Sequence, residues 1–249
     1  MIAFFRHIRY HLMGKNKTRT YLSYAIGEIV LVVIWILISL QINNTNEDHK
    51  ARIYEKKMLT EIKNALAKEV AFFKNHLIGN RLQRSQNACL FFENYLISGA
   101  INRDSINYHF NGLTTGLQVT YNRGPFEALK STGIDRVSND SLRNMIIDLY
   151  EFILPRGAGL IDIYMNDYMS NSKTHEAELR DDLRVEIKNG KVTYLYNRMK
   201  DVDLKTNPSF LALLSWGSSG SKSVISIFNS ILPEMEALIT ALDDELNKT

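Results

Sequence analysis

Residues 22–42 read LSYAIGEIVLVVIWILISLQI, an apolar run of 21 residues interrupted only by Ser23, Glu28, Ser39 and Gln41. Nothing else in the chain constrains its fold as strongly. At ~1.5 Å per residue the run spans ~31 Å, the hydrocarbon thickness of a bilayer. It holds no proline, so a helix can satisfy every backbone amide internally, as lipid requires. The reading is one transmembrane helix at 22–42. A cleaved signal peptide competes with it, but the run is long and no small-x-small cleavage site follows.

The flanks set the expected orientation. Arg6, Arg9, Lys15, Lys17 and Arg19 precede the run without a single acid, whereas Glu47, Asp48, Lys50 and Arg52 nearly cancel after it. Positive residues stay cytoplasmic, so residues 1–21 form a basic inner arm and 43–249 an extracytoplasmic domain. The inner (cytoplasmic) membrane and a periplasmic outer domain are the expected location. The arm also carries the charge excess. Of 30 basic residues, the 25 outside it face 27 acidic ones, so nucleic-acid binding by the main body has no electrostatic support. Arg6, Arg9, Lys15, Lys17 and Arg19 are instead candidates for lipid headgroup contact. MIAFFRHIRYHLMG places Ile2, Phe5, Ile8 and Leu12 on one face, the pattern of a helix lying in the headgroup layer.

Side chains placed at 100° intervals around the 22–42 helix sort into two kinds. Tyr21, Tyr24, Glu28, Trp35 and Ser39 share one polar and aromatic stripe, and the other faces are aliphatic. Tyr21, Glu28, Trp35 and Ile42 also repeat every seven residues, the spacing of a helix that packs along another. Glu28 lies ~9 Å inside the inner edge, where a carboxylate is costly unless it is neutralised or paired. The stripe is therefore expected to contact a second helix, from a protein partner or another copy of the chain. A shallow Glu28 that snorkels to the headgroups is the competing reading.

The outer region reads as mainly α-helical. Ile53, Leu59, Ile62, Leu66, Val70, Phe73 and Leu77 mark a long amphipathic helix over 46–79, expected to stop near Gly79. A second, 81–97, presents Leu82, Ala88, Cys89, Phe92, Tyr95 and Leu96 and suits an antiparallel hairpin with the first. Asp104 is placed to cap a short helix through Leu113, Pro125 fits a first turn, and Gly133 a C-cap. Asn139 or Asp140 starts a further helix that PRGAG, 155–159, is expected to kink or break. Asn207-Pro208 reads as N-cap and N1, with a turn at GSSGS and a final helix containing Pro233. One segment departs from helix. In VEIKNGKVTYL, Asn189-Gly190 between alternating runs predicts a small β-hairpin at about 184–196 that must pack on something. No second hydrophobic run of membrane length appears.

Chemical motifs fail on spacing. WGSSGSKS, 216–223, has two residues between its glycines where a phosphate-binding loop needs four, and Ser221 stands where the lysine should follow. His175-Glu176 opens a zincin-like pattern, but position 179 is Leu in place of the second ligand. No G-x-S-x-G elbow occurs, and Asp181-Asp182 and Asp243-Asp244-Glu245 read as solvated surface. The single cysteine, Cys89, reads as a buried thiol. No catalytic residue, metal ligand or cofactor is assigned, and a non-enzymatic protein is expected.

The segment 4–44, with YAIGEI and LQINN at the ends of the apolar run, resembles an uncharacterised family of single-pass membrane proteins common in Bacteroidota. FEALKSTGIDRVSNDSLRNMIIDLYE, 126–151, resembles that family's second recurring segment. Members carry Gly where this chain has Trp35 and Trp where it has Thr45, so close backbone packing at 35 is not implied. The resemblance implies an envelope location and a helical outer domain, without an activity. Interaction or scaffolding in the envelope is the leading expectation. A proton-driven stator-like subunit using Glu28 and a periplasmic ligand sensor are the alternatives.

Overall fold

The structure is a computed structural model that describes residues 18–114, 116–181, 184–195 and 199–248. The chain divides into two compact units, Met1–Lys56 and Lys57–Thr249. Helix α1, Thr18–Phe72, carries the apolar run. A π-helical stretch, Phe73–Leu82, follows it, then α2, Gln83–Ser98, and α3, Ile106–Leu113. Helix α4 covers Gly124–Thr132 and α5 Asp140–Ile147, and a second π-helical stretch, Asp148–Ile153, leads into α6, Leu154–Leu179. Strands β1, Arg184–Lys188, and β2, Lys191–Leu195, precede the long α7, Pro208–Leu246.

The second unit is a helical bundle in which α6 and α7 form the principal pair, with α2 and α3 packed beside α7. Its core follows the predicted stripe: Leu59, Ile62, Leu66, Phe73 and Leu77 are buried, whereas Ile53 is exposed. Phe73 meets Phe228 of α7 edge-on at 5.3 Å, and Phe92 of α2 meets Phe210 at 5.0 Å. Buried rings of this kind dominate core energetics. At the Phe92 end, Ala88, Cys89, Phe110, Leu113, Leu179, Leu213 and Leu214 close the cluster.

Local chemistry sets several helix ends as expected. Asn139 and Asn207 accept the amides of Leu142 and Phe210 as N-caps, with Pro208 opening α7. Gly133 follows α4 with φ +105°. Asn189 and Gly190 have φ +53° and +74°, the pair of left-handed residues that a two-residue primed turn requires, and Val185 pairs with Tyr194 and Ile187 with Val192.

Three expected breaks are absent. The chain stays helical through Gly79, so 46–79 and 81–97 are not the arms of an antiparallel hairpin. A Cβ at Gly79 would lie 3.0 Å from the Lys74 carbonyl oxygen, five residues back, and glycine there makes room for the wide π turn. GSSGS is likewise no turn: it sits inside α7, where a Cβ on the buried Gly217 would lie 3.4 Å from Leu113 Cδ2 and 3.6 Å from Cys89 Sγ. PRGAG does not break its helix either, because Pro155 falls in the first turn of α6, where the ladder changes from π to α and a missing N–H costs little. Asp104 sits in the short 3-10 turn Arg103–Ser105, and Ser105 holds the cap position without a side-chain bond. The hairpin also differs from expectation: Val185, Ile187 and Val192 lie on one face and are 53%, 75% and 53% exposed.

Helix α7 meets the length and composition of a membrane crossing, as does the helix that carries the apolar run, but a third of the α7 apolar window is buried and α7 builds the core.

Candidate functional site

In the first unit the structure gathers the predicted stripe on one face of α1. Tyr24 and Glu28 are a turn apart and half-buried, and Trp35 and Ser39 continue the same face exposed, Trp35 at 69%. Val32, Trp35, Ile36, Ser39, Leu40 and Asn43 line a shallow apolar hollow on this surface. The aliphatic flank is bare throughout: the most apolar window of the helix has none of its residues buried. So continuous a band of exposed Ile, Leu and Val needs an apolar surrounding, which water does not supply. Tyr21 and Arg19 lie on the helix; Arg6, Arg9, Lys15 and Lys17 fall outside the described residues.

In the second unit, charged side chains tie elements together. Glu151 accepts from Lys130 at 2.7 Å and stands 3.8 Å from Arg123, whose other partner is Glu127 at 2.9 Å. The Lys130 hydrogen bond holds the Glu151 carboxyl below its ordinary value and raises Lys130. Beside this group Tyr150 stacks flat on Phe126 at 4.7 Å, its hydroxyl buried without a partner and its titration pushed up by burial. Burial, then the charge of Glu93, lifts the Cys89 thiol to about 11, so it stays protonated and inert at neutral pH.

His175, Glu178 and Ser209 form the nearest thing to a catalytic constellation. Ser209 Oγ donates to the Glu178 carboxylate and lies 2.8 Å from His175 Nδ1, which assigns the Nδ1–H tautomer. The order is wrong for a triad, since the acid holds the serine and not the imidazole, and Ser209 is buried at the start of α7. The group is a polar clamp between α6 and α7, with His175 edge-on to Trp216. It places His175 in a structural contact, away from the metal role that its neighbour Glu176 suggests. Among the described residues no group of three or more His, Cys, Asp or Glu could hold a metal ion.

The second unit also shows an unpartnered apolar face that its sequence did not announce. Phe152, Leu160, Ile163 and Tyr164 follow one side of the π stretch and α6, opposite the buried Gly157, Ile161 and Met165, and Phe152 and Ile163 are each 65% exposed. The signal was present as apolar residues in excess of one helical stripe.

Residues 28–179 match a family of unknown function, DUF6090. The chain belongs to this family. The DUF6090 match begins at Glu28, takes in the rest of the apolar helix, and ends at Leu179, the last residue of α6. The 126–151 segment lies wholly inside the DUF6090 range and the hairpin and α7 outside it. No curated protein and no solved structure matches the chain.

Proposed function

We propose that this chain is a single-pass inner-membrane protein, N-terminus cytoplasmic, whose periplasmic helical domain acts by binding a protein partner or scaffolding an envelope assembly, without enzymatic chemistry. The observation that carries the reading is the apolar window of α1, none of it buried, with Tyr24, Glu28, Trp35 and Ser39 sorted to one side. Lipid covers the aliphatic faces, and the sorted stripe meets another transmembrane helix, where a polar side chain finds a partner that lipid cannot give. The basic arm, with Arg6, Arg9, Lys15, Lys17 and Arg19, lies on anionic headgroups. The exposed apolar face of α6 supports a protein contact for the outer domain as well.

A photoreactive residue at position 28 in the full chain tests this, with the crosslinked product identified by mass spectrometry. A crosslink to a second helix is expected, and Glu28→Ala and Trp35→Ala should each weaken association. Unchanged association in both variants removes the stripe from the contact. Glu28→Gln separates packing from proton transfer, because a neutral amide preserves contact and abolishes proton handling. A reporter fused at Thr249 that works only in the cytosol would overturn the topology.

A further inference from the structure

The first π-helical stretch opens onto a groove of about 600 Å³ lined by Phe72, His76, Asn80, Arg81, Arg84 and Gln118, together with Leu77 and Gly116. Its charge is one-sided. Phe73–Leu82 contains Lys74, His76 and Arg81 and no acid, and neither the first turn of α2 nor the groove's third wall at 116–118 supplies one. Several cations of the unit, Lys63, Lys74, Arg123, Lys130, Arg143 and Arg180, each hold a carboxylate. Among the described residues Arg81 and Arg84 hold none.

Both guanidiniums are nevertheless fixed in place. Arg81 Nη1 donates to the Gly116 carbonyl at 3.3 Å, which spends one of its five donors. Arg84 lies with its Cζ 5.0 Å over the Tyr108 ring, its stem against Gly112, where a Cβ would be 3.6 Å from Arg84 Cγ. Among the described residues Arg84 Nε has no hydrogen-bond partner and is itself covered, so the terminal nitrogens of this guanidinium are the ones that can reach a ligand in the groove. Asp162 lines an adjoining hollow that shares Arg81, Gly116 and Gln118. The π geometry itself fits, since such turns concentrate at functional sites and persist despite poorer hydrogen bonding.

We infer that this groove binds a multiply charged oxyanion of the phosphate class, with Arg81 and Arg84 as the charged forks, and His76, Asn80 and Gln118 as further hydrogen-bond donors. Two unpaired guanidiniums match a dianion, and their planar forks take two oxygens each, which a single carboxylate does not fill. Phe72, beside His76 at 5.3 Å between ring centres, offers an aromatic face to an organic part of the ligand. The site does not depend on membrane topology, so its failure and the failure of the membrane reading are separate results.

The test is calorimetric titration of the full chain in uncharged detergent with sodium pyrophosphate, inorganic phosphate and acetate. Pyrophosphate should bind most tightly and acetate not at all, with affinity falling as salt rises. Arg81→Gln and Arg84→Gln should each weaken pyrophosphate binding by ~10-fold or more, the loss of a charge-assisted pair, and the double variant should abolish it. Lys74→Gln, whose partner Glu236 lies outside the groove, should leave it unchanged. Gln118→Glu, which places a carboxylate in the groove, should also abolish binding. Unliganded melting temperatures establish that each variant is folded, and a pyrophosphate-dependent rise in melting should be lost with the arginines. Absent pyrophosphate binding in the wild-type chain, or equal affinity in the folded double variant, overturns the inference.

Discussion

A Cβ placed on Gly157 would stand 2.1 Å from Cδ1 of Ile231 and 3.1 Å from its Cγ1, so α6 meets α7 at this point with no space for even a methyl group. Ile231 is itself buried, which leaves its tip little room to retreat. Gly157→Ala gains ~1 kcal/mol of helix propensity, but overpacking a close-packed core costs ~1–3 kcal/mol. A net loss of stability is expected, seen as a lower denaturation midpoint at unchanged slope. Ile231→Val removes the clashing carbon, so the double variant should be less destabilised than the two single losses combined. Strict additivity would show that the two residues do not collide.

The Lys130–Glu151 pair gives a pH signature of known sign. Glu151 titrates below its ordinary value in the folded chain, so its contribution is full above the unfolded carboxylate range and disappears as pH falls through the folded value. Lys130 titrates above its ordinary value, and its share is lost only as pH rises through that raised value. Between these limits Glu151→Gln should melt below the wild-type chain, and the gap should close on acidification. Both side chains reach solvent, so salt should shrink the gap as well. A gap that persists at acid pH would assign the loss to packing.

Gly190 holds φ +74° in the hairpin turn, a conformation that costs a side-chain-bearing residue ~1–2 kcal/mol. Because the apolar face of the hairpin is exposed, the expected consequence of Gly190→Ala is local. Amide exchange across Arg184–Lys188 and Lys191–Leu195 should accelerate while the melting temperature of the bundle stays put. A matching fall in global stability would mean that the hairpin is coupled to the core.

These cases also divide what the residues announce from what they conceal. Asn189-Gly190, Asn139, Asn207-Pro208 and Gly133 are readable because each acts through its own dihedrals or its own side-chain bond. The stripe of Tyr24, Glu28, Trp35 and Ser39 is readable because a straight helix alone fixes it. Gly79, Gly217 and Pro155 mislead for the converse reason. Glycine and proline weaken a helix locally by ~1–3 kcal/mol, and the packed bundle outweighs that where a carbonyl or a π-to-α junction takes up the residue or the core covers its segment. Arg81 and Arg84 carry no local mark at all. What brings them to notice is that folding sets both along one groove while neither holds an ion pair among the described residues, and the apolar face of α6 is hidden in the same way, since only the packed bundle decides which side of a helix is covered.

The wide winding of Phe73–Leu82 has a bearing on how this polypeptide tolerates change in length. Each π turn accommodates about one residue more than an α turn, so the stretch holds surplus chain without rotating the segments on either side. Removing Gly79 would let the backbone relax toward ordinary winding and keep Phe73 and Leu82 directed inward, whereas the same deletion in α2 would swing Ala88, Cys89 and Phe92 out of register together.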